Sequence, residues 1–249
     1  MTDRHKKIIE IVNENKKIEV NILAELLEVS SVTIRKDLDF LASKGLLSRE
    51  HGFAVHCNDD DIGNRLAVKY EIKQKLAKAA ASLVANGETV MIESGSSCAL
   101  LATELSKEDR EITIITNSAF IALQVRDNGN ARTILLGGEY QKESQVMVGP
   151  LVRICAKEFY VDKLFIGTDG FEPKVGFMGS DMMRTEAMKG LAESARKVYL
   201  LTDSTKFSTM GVVMQIKFED IAGVVTDSEI PDHAMKILKE HHVEVIVVE

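Results

Sequence analysis

Apolar side chains recur at helical spacing in three segments of the first 57 residues. The first segment, residues 4–15, predicts an amphipathic helix whose core face consists of His5, Ile8, Ile9 and Val12. A second, shorter helix is predicted with Asn21 as its N-cap. A third is predicted to follow a serine cap at Ser30 or Ser31, with a buried stripe at i, i+4 and i+7 formed by Ile34, Leu38 and Leu41.

The opposite face of the third predicted helix carries an arginine and a lysine. At roughly 100° per residue, the side chains that point away from the stripe are those of Val32, Arg35, Lys36, Asp39 and Ser43. Two helices joined by a tight turn, the second of them basic, are typical of a helix-turn-helix that enters the major groove of DNA. An alternative for the same pattern is a helical hairpin that packs against a partner protein.

Residues 46–56 predict two short strands that turn near His51-Gly52, and residues 18–20 form an alternating segment that can pair with them. Such a wing would place Arg49 and His51 beside the phosphate backbone of double-stranded DNA. The candidate DNA contacts are therefore Ser31, Val32, Thr33, Arg35, Lys36, Arg49 and His51.

From residue 69 onward, strand and helix patterns alternate. Residues 69–85 predict a strong helix, and buried β-branched runs then predict strands at 89–92, 112–115, 132–136, 163–166, 198–201, 221–225 and 243–248. Alternation of this kind predicts an α/β fold with a mostly parallel sheet. Residues 58–64 are acidic and turn-rich, which indicates a linker. The expected domains are 1–57, which binds DNA, a linker at 58–68, and an α/β domain at 69–249.

Small and polar residues follow five of the predicted strands, where parallel sheets bind their ligands. Glu93-Ser94-Gly95-Ser96-Ser97 lies between a strand and a helix, and its amides and hydroxyls suit a phosphate or carboxylate. For each residue alone, a helix cap or a turn is an equally good explanation. Five such strand ends in one sheet favour a ligand site. The candidate effector contacts are Glu93, Ser94, Gly95, Ser96, Ser97, Asn117, Gly138, Asp169 and Lys206.

Charge constrains the DNA hypothesis. The net charge is −7, and residues 1–57 contain nine Lys/Arg and nine Asp/Glu, so the whole excess of negative charge lies in residues 58–249. Affinity for DNA would have to come from placed cations rather than from a general positive field. A dimer or tetramer would multiply those cations, which are Arg4, Lys6, Lys7, Arg35, Lys36 and Arg49.

The three cysteines, Cys57, Cys98 and Cys155, are far apart and form no Cys-x-x-Cys pair. They suit reduced thiols in a cytoplasmic protein and do not indicate a metal site. No apolar run approaches the roughly 20 residues that a membrane-spanning helix needs. We therefore expect a cytoplasmic protein with no membrane association, no metal and no cofactor.

Two groups of motifs resemble the DeoR family of bacterial repressors. Residues 31–38 (Ser-Val-Thr-Ile-Arg-Lys-Asp-Leu) and 46–52 (Leu-Leu-Ser-Arg-Glu-His-Gly) resemble its winged helix, although Phe53 stands where the family has a second glycine. The strand ends resemble its sensor domain, although Glu93 begins a loop that is commonly Asp-Ser-Gly-Thr-Thr. The resemblance implies a repressor of a carbohydrate-metabolism operon, released from operator DNA by a phosphorylated sugar or a related metabolite.

The implied sensor fold is also similar to sugar-phosphate isomerases such as ribose-5-phosphate isomerase, so an enzyme is the main alternative. Their Asp-Gly-Ala-Asp-Glu motif aligns with Ile166-Gly167-Thr168-Asp169-Gly170, where two of the three acids are absent. Asp169 and Glu186 remain as possible bases. We expect no catalytic residue. A third possibility is a sugar-phosphate-binding scaffold that acts through protein partners.

Overall fold

The structure is a computed structural model that describes residues 2–43, 46–56, 60–107, 110–126 and 131–249, with the backbone alone for Asp3, Lys6 and Ser43. The chain divides into two compact units, Met1–Tyr70 and Glu71–Glu249. Each unit is described by itself. The functional partition into 1–57, 58–68 and 69–249 stays a prediction.

In the described residues, the first unit begins with three helices and a small antiparallel sheet. The helices are α1 (Asp3–Asn15), α2 (Val20–Leu26) and α3 (Ser31–Ser43), and the strands are β1 (Lys17–Glu19), β2 (Ser48–Glu50) and β3 (Phe53–Val55). The sheet has the order β1-β3-β2, so the segment before α2 pairs with the hairpin as predicted. Ile8, Leu23, Ile34, Leu38 and Leu41 are fully buried. This arrangement confirms the predicted winged helix-turn-helix.

One local prediction in the first unit is wrong, and the structure adds a helix where only turns were expected. Helix α2 begins at Val20 with Glu19 as its N-cap, so Asn21 lies inside the helix. The expected linker also contains a helix, α4 (Ile62–Ala67). The side chain of Asp61 accepts hydrogen bonds from the amides of Gly63 and Asn64 at 2.8 and 3.2 Å, and Ile62 is fully buried. An N-cap and one buried anchor suffice for a helix too short to show apolar periodicity.

The rest of the chain alternates between helices and strands, as predicted. The helices are α5 (Tyr70–Ala81), α6 (Ser96–Lys107), α7 (Ala119–Val125), α8 (Pro150–Ala156), α9 (Met182–Ala192) and α10 (Asp232–Glu240). The strands are β4 (Thr89–Ile92), β5 (Thr113–Thr116), β6 (Arg132–Leu135), β7 (Glu139–Gln141), β8 (Val146–Val148), β9 (Val161–Ile166), β10 (Gly170–Glu172), β11 (Gly176–Gly179), β12 (Ala195–Leu201), β13 (Val213–Ile216), β14 (Gly223–Asp227) and β15 (Glu244–Val248).

Seven strands form one parallel sheet in the order β15-β14-β12-β9-β4-β5-β6. The chain builds from β4 to β5 and β6, then returns to the other side of β4 and continues through β9, β12, β14 and β15. The order in which strands are added to the sheet therefore reverses between the neighbouring strands β4 and β9. In open α/β sheets, ligands bind at the carboxyl ends of the strands beside such a switch point.

Two smaller sheets were missed by the sequence patterns. Strands β7 and β8 form a hairpin, and β10, β11 and β13 form an antiparallel sheet in that order. The second of these is held by aromatic packing, because the rings of Phe171 and Phe177 lie 5.4 Å apart and that of Phe207 lies 5.3 Å from Phe171. These strands are three or four residues long, so they show too few alternations to identify.

Candidate functional site

The exposed face of α3 carries the predicted basic side chains. Ile34 and Leu38 are fully buried, whereas Val32 is 59% exposed and both Arg35 and Lys36 are exposed. Within the described part of the chain, neither Arg35 nor Lys36 has an ion-pair partner. Their charges are therefore available to an external anion.

The start of α3 is fixed by a serine cap. Ser30 Oγ accepts a hydrogen bond from the Thr33 amide at 3.1 Å and lies 2.9 Å from the Thr33 hydroxyl. Ser30 is thus the cap, one of the two residues predicted for this role. Thr33 and Ser31 are partly buried, and the Thr33 hydroxyl is engaged inside the protein.

An ion pair between Arg49 on β2 and Asp39 on α3 joins the wing to α3. Gly52 makes the turn with φ of +81°, a conformation that favours glycine, and its carbonyl accepts a hydrogen bond from the Val20 amide at 2.9 Å. His51 at the same turn is exposed. The predicted wing residues Arg49 and His51 therefore lie on the surface, and Arg49 contacts the exposed face of α3.

Arg4 has a different role from the one expected for a DNA-binding cation. Its Nε and Nη2 donate to the two carboxylate oxygens of Asp37 on α3 at 2.6 and 3.1 Å, and His5 Nε2 lies 3.0 Å from Asp37 Oδ1. The hydrogen bonds from Arg4 lower the pKa of Asp37, although burial of that carboxyl opposes the shift. The same contact raises the pKa of Arg4. Arg4 thus joins α1 to α3. The side chain of Lys6 lies outside the described residues.

At the switch point of the central sheet, Glu93 joins the loops that follow β4 and β9. Glu93 is 8% exposed. Its Oε1 accepts a hydrogen bond from Ser94 Oγ at 2.8 Å, and its Oε2 accepts from the Gly95 and Gly167 amides at 3.0 and 3.3 Å. A Cβ on Gly95 would lie 3.2 Å from Gly167 Cα, so the two loops touch through their backbones. Three donors occupy the carboxylate that was expected to contact the effector.

The amino terminus of α6 lies in the same loop. Ser96 and Ser97 are 7% and 6% exposed. The first intrahelical donor is the Ala99 amide, which bonds to the Gly95 carbonyl, and the first amides of a helix have no intrahelical partner. Because the Gly95 amide bonds to Glu93, an anion at this terminus would be met by Ser96 and Ser97.

The other predicted effector residues lie at increasing distance from β4 along the sheet. Asn117 and Asp169 follow the adjacent strands β5 and β9, whereas Gly138 and Lys206 follow β6 and β12, each two strands away. Two strands correspond to about 10 Å. The structure therefore brings Asn117, Asp169 and the loop at Glu93 together at the centre of one edge, with Gly138 and Lys206 at its flanks.

Asn117 connects β5 to the β7–β8 hairpin. Its Nδ2 donates to the Met147 carbonyl at 2.9 Å, and its main-chain carbonyl accepts from the Met147 amide at 2.8 Å. The residue is 1% exposed, and its Oδ1 is buried without a hydrogen-bond partner in the described part of the chain. Gly138 packs against the same region, since an added Cβ would lie 2.7 Å from the Val148 carbonyl oxygen. Gly138 is thus required by close packing.

Asp169 and Arg184 converge on Ser180. Asp169 Oδ2 accepts hydrogen bonds from the Ser180 amide at 3.0 Å and hydroxyl at 2.7 Å, and Arg184 Nη2 donates to the same hydroxyl at 3.3 Å. Arg184 is 8% exposed, which places a buried cation near the loop after β9. The sequence patterns missed Arg184 because it lies on α9, within the helix rather than at a strand end.

Two carboxylates accept hydrogen bonds from backbone amides of the turn that follows β12. Asp203 Oδ1 accepts from the Thr205 amide at 3.1 Å, and Asp227 Oδ2 accepts from the Ser204 amide at 2.7 Å. These bonds fix the 3₁₀ turn Ser204–Ser208, which presents the partly buried Lys206. Among the described residues Lys206 has no ion-pair partner, so its charge can serve an anion at this edge.

The described residues contain neither a metal-binding cluster nor a membrane-spanning helix. They contain no group of three or more His, Cys, Asp and Glu side chains that could hold a metal ion. No helix among them is long and apolar enough to cross a membrane.

Comparisons with known proteins match both units. A family model described as the DeoR C terminal sensor domain matches residues 68–228, and one described as a DeoR-like helix-turn-helix domain matches residues 4–60. The HTH-type transcriptional regulator GolR of Listeria innocua is 32% identical over 92% of this chain and 91% of its own length. The glycerol-3-phosphate regulon repressor of Escherichia coli is 28% identical over 98% of this chain and 97% of its own. A solved structure of ribose 5-phosphate isomerase A from Methanocaldococcus jannaschii is 22% identical, with a TM-score of 0.42 over 55% of this chain and 54% of its own.

Proposed function

The chain belongs to the DeoR family of transcriptional regulators, and we propose that it represses a carbohydrate-metabolism operon until a phosphorylated sugar releases it from operator DNA. Its relatives include a repressor named for the glycerol-3-phosphate regulon. The partners would be double-stranded operator DNA and the phosphorylated effector, and the protein would act in the cytoplasm as a homo-oligomer, a dimer or a tetramer.

The observation that carries the proposal is a pair of exposed basic side chains on α3. Arg35 and Lys36 are exposed without ion-pair partners in the described residues, while the opposite face of the same helix is buried. Arg35 would contact base edges or phosphates in the major groove, and Arg49 and His51 would contact the backbone beside it. Because only a few cations are placed, one copy would bind weakly, and a two-fold assembly would double the contacts.

The effector would bind at the carboxyl edge of the central sheet. Its phosphate would meet the amides and hydroxyls of Ser96 and Ser97 at the start of α6. Asn117 and Lys206 supply an acceptor and a cation for the remainder of the ligand, and Arg184 adds a buried cation beside Asp169. Glu93 would act indirectly, by holding the loops after β4 and β9 together.

We further propose that the protein binds sugar phosphates without converting them. The two residues that could act as a base are both engaged: Asp169 accepts two hydrogen bonds from Ser180, and Glu186 is exposed and pairs with Lys189 at 3.2 Å. A general base for isomerisation has to face the substrate carbon, with its carboxylate free to take a proton.

A ligand screen tests the proposal. Thermal unfolding is measured with a panel of aldose and ketose phosphates, since a ligand at 100 times its dissociation constant adds about 2.7 kcal/mol to the free energy of unfolding. The operator is first selected from random duplexes by the protein itself. At least one sugar phosphate should raise the melting temperature, weaken binding to the selected duplex and remain chemically unchanged. Failure of the protein to select any duplex would contradict the proposal, as would turnover of the stabilising sugar phosphate.

A further inference from the structure

Gln215 on β13 is a buried amide directed at the switch point of the central sheet. The residue is 8% exposed, and its Nε2 donates to the Gly167 carbonyl at 2.8 Å. Its Oε1 is buried and has no hydrogen-bond partner among the residues that the structure describes. Gly167 is the residue that follows β9, and its own amide bonds to Glu93 at 3.3 Å. Gln215 and Glu93 therefore fix the two polar groups of the same glycine.

The orientation of the Gln215 amide follows from its partner. A carbonyl oxygen can only accept a hydrogen bond, so the nitrogen of the side chain has to face Gly167 and the oxygen has to face away from it. The atom that remains without a partner is thus an acceptor. A buried acceptor without a donor lowers the stability of the folded protein, a cost that an apolar residue at this position would avoid.

The two parts of a phosphorylated sugar differ in the hydrogen-bonding groups that they offer to the protein. A phosphate dianion offers acceptors and suits the amides and hydroxyls at Ser96 and Ser97. The Oε1 atom of Gln215 needs an O–H or N–H group, which the hydroxyls of a sugar provide. Gly167 lies against the loop that would hold the phosphate, since its Cα is 3.2 Å from the Cβ position of Gly95. Gln215 donates to the Gly167 carbonyl, so its side chain lies beside the loop that would hold the phosphate.

We propose that Gln215 is a specificity-determining residue of the effector site, and that its Oε1 accepts a hydrogen bond from a hydroxyl of the bound sugar phosphate. The proposal rests on the proposed function of that site. It assigns the selection of a polyhydroxy ligand over a bare phosphate to a residue of the small antiparallel sheet rather than to the phosphate-binding loop itself.

The test compares sugar phosphate with inorganic phosphate. Gln215→Met removes the acceptor at nearly constant length, and Gln215→Leu is a second variant of different shape. Gln74→Met, on α5 and outside the strand ends, is the matched control. The probes are inorganic phosphate and whichever aldose or ketose phosphate most stabilises the wild-type protein, with dissociation constants from calorimetry.

We expect Gln215→Met and Gln215→Leu to bind the sugar phosphate about tenfold more weakly, which corresponds to one hydrogen bond. Their affinity for inorganic phosphate should stay within about twofold of wild type. Equal weakening of both ligands would overturn the proposal, as would no weakening, or failure of both variants to fold, because Gln215 would then be a structural residue. If the wild-type protein binds no sugar phosphate, the proposed function itself fails, and that result precedes any variant.

Discussion

Arg35 on α3 is exposed and has no ion-pair partner among the described residues, whereas Glu93 at the end of β4 is 8% exposed and accepts three hydrogen bonds. Both were predicted to contact a ligand. The side chains on α3 present their charges outward on a scaffold that other residues stabilise. At the strand ends, by contrast, the Glu93 carboxylate is buried, and its hydrogen bonds hold the loops after β4 and β9 together.

This difference separates two ways of building a binding site. On α3, the buried face stabilises the fold and the opposite face is the one proposed to contact DNA, so a substitution on the exposed face should alter binding alone. At the sheet edge, one residue can serve both purposes, because a buried polar group needs partners inside the protein. Asn117 is an example, since its Nδ2 donates to the β7–β8 hairpin while its Oδ1 has no hydrogen-bond partner among the described residues.

The largest expected effect is on stability and comes from Glu93→Ala. The substitution leaves the Gly95 and Gly167 amides without their acceptor, so we expect a loss of roughly 2–4 kcal/mol in the free energy of unfolding. Denaturant unfolding measures it, with Glu143→Ala as an exposed control. Wild-type stability combined with lost effector binding would show that Glu93 is a ligand contact and that the two sites are alike.

The next effect is on DNA binding and comes from Arg35→Ala. We expect operator binding to weaken by roughly 1–3 kcal/mol if Arg35 contacts a base, with no change in melting temperature because the side chain is exposed. A gel-shift titration at fixed salt measures it. Arg132→Ala, an exposed arginine of the second unit, is the control. Operator affinity equal to that of the control would remove Arg35 from the interface.

The same difference explains how much the sequence could predict. On α3, the spacing of Ile34, Leu38 and Leu41 indicates both the buried face and the face opposite it, so the exposure of Arg35 and Lys36 follows from local pattern. The parallel strands and their polar ends were likewise predictable from buried β-branched runs.

The internal contacts of the edge were not predictable, because they join residues far apart in the chain. Glu93 bonds to an amide 74 residues away, and Gln215 bonds to a carbonyl 48 residues away. Gln215 also lies on β13, one of the short strands that pattern alone does not identify. Periodicity shows which side of an element is buried, but not which buried polar groups meet.

A smaller effect is expected in the pH dependence of stability, through Asp37→Asn. The pKa of Asp37 is lower in the folded protein than in the unfolded chain, chiefly because Arg4 donates hydrogen bonds to it. Its contribution to stability is therefore full above about pH 4 and is lost as the pH falls through the lowered pKa. Thermal unfolding between neutral and acidic pH should show a less stable variant with a shallower acid dependence. A variant curve parallel to that of wild type would contradict the role of the Arg4–Asp37 pair.

Operator release in the variant Ser96→Asp tests the link between the two sites most directly. The added carboxylate places a negative charge where the effector phosphate is expected, and Ser82→Asp on the exposed surface is the control. Operator affinity is measured by gel shift with and without the sugar phosphate that stabilises the wild-type protein. Wild type and control should change affinity by about 5–150-fold on addition of ligand. Ser96→Asp should stay folded and give the same operator affinity in both conditions, whereas release by the effector at an unaltered effector affinity would contradict a phosphate site at the start of α6.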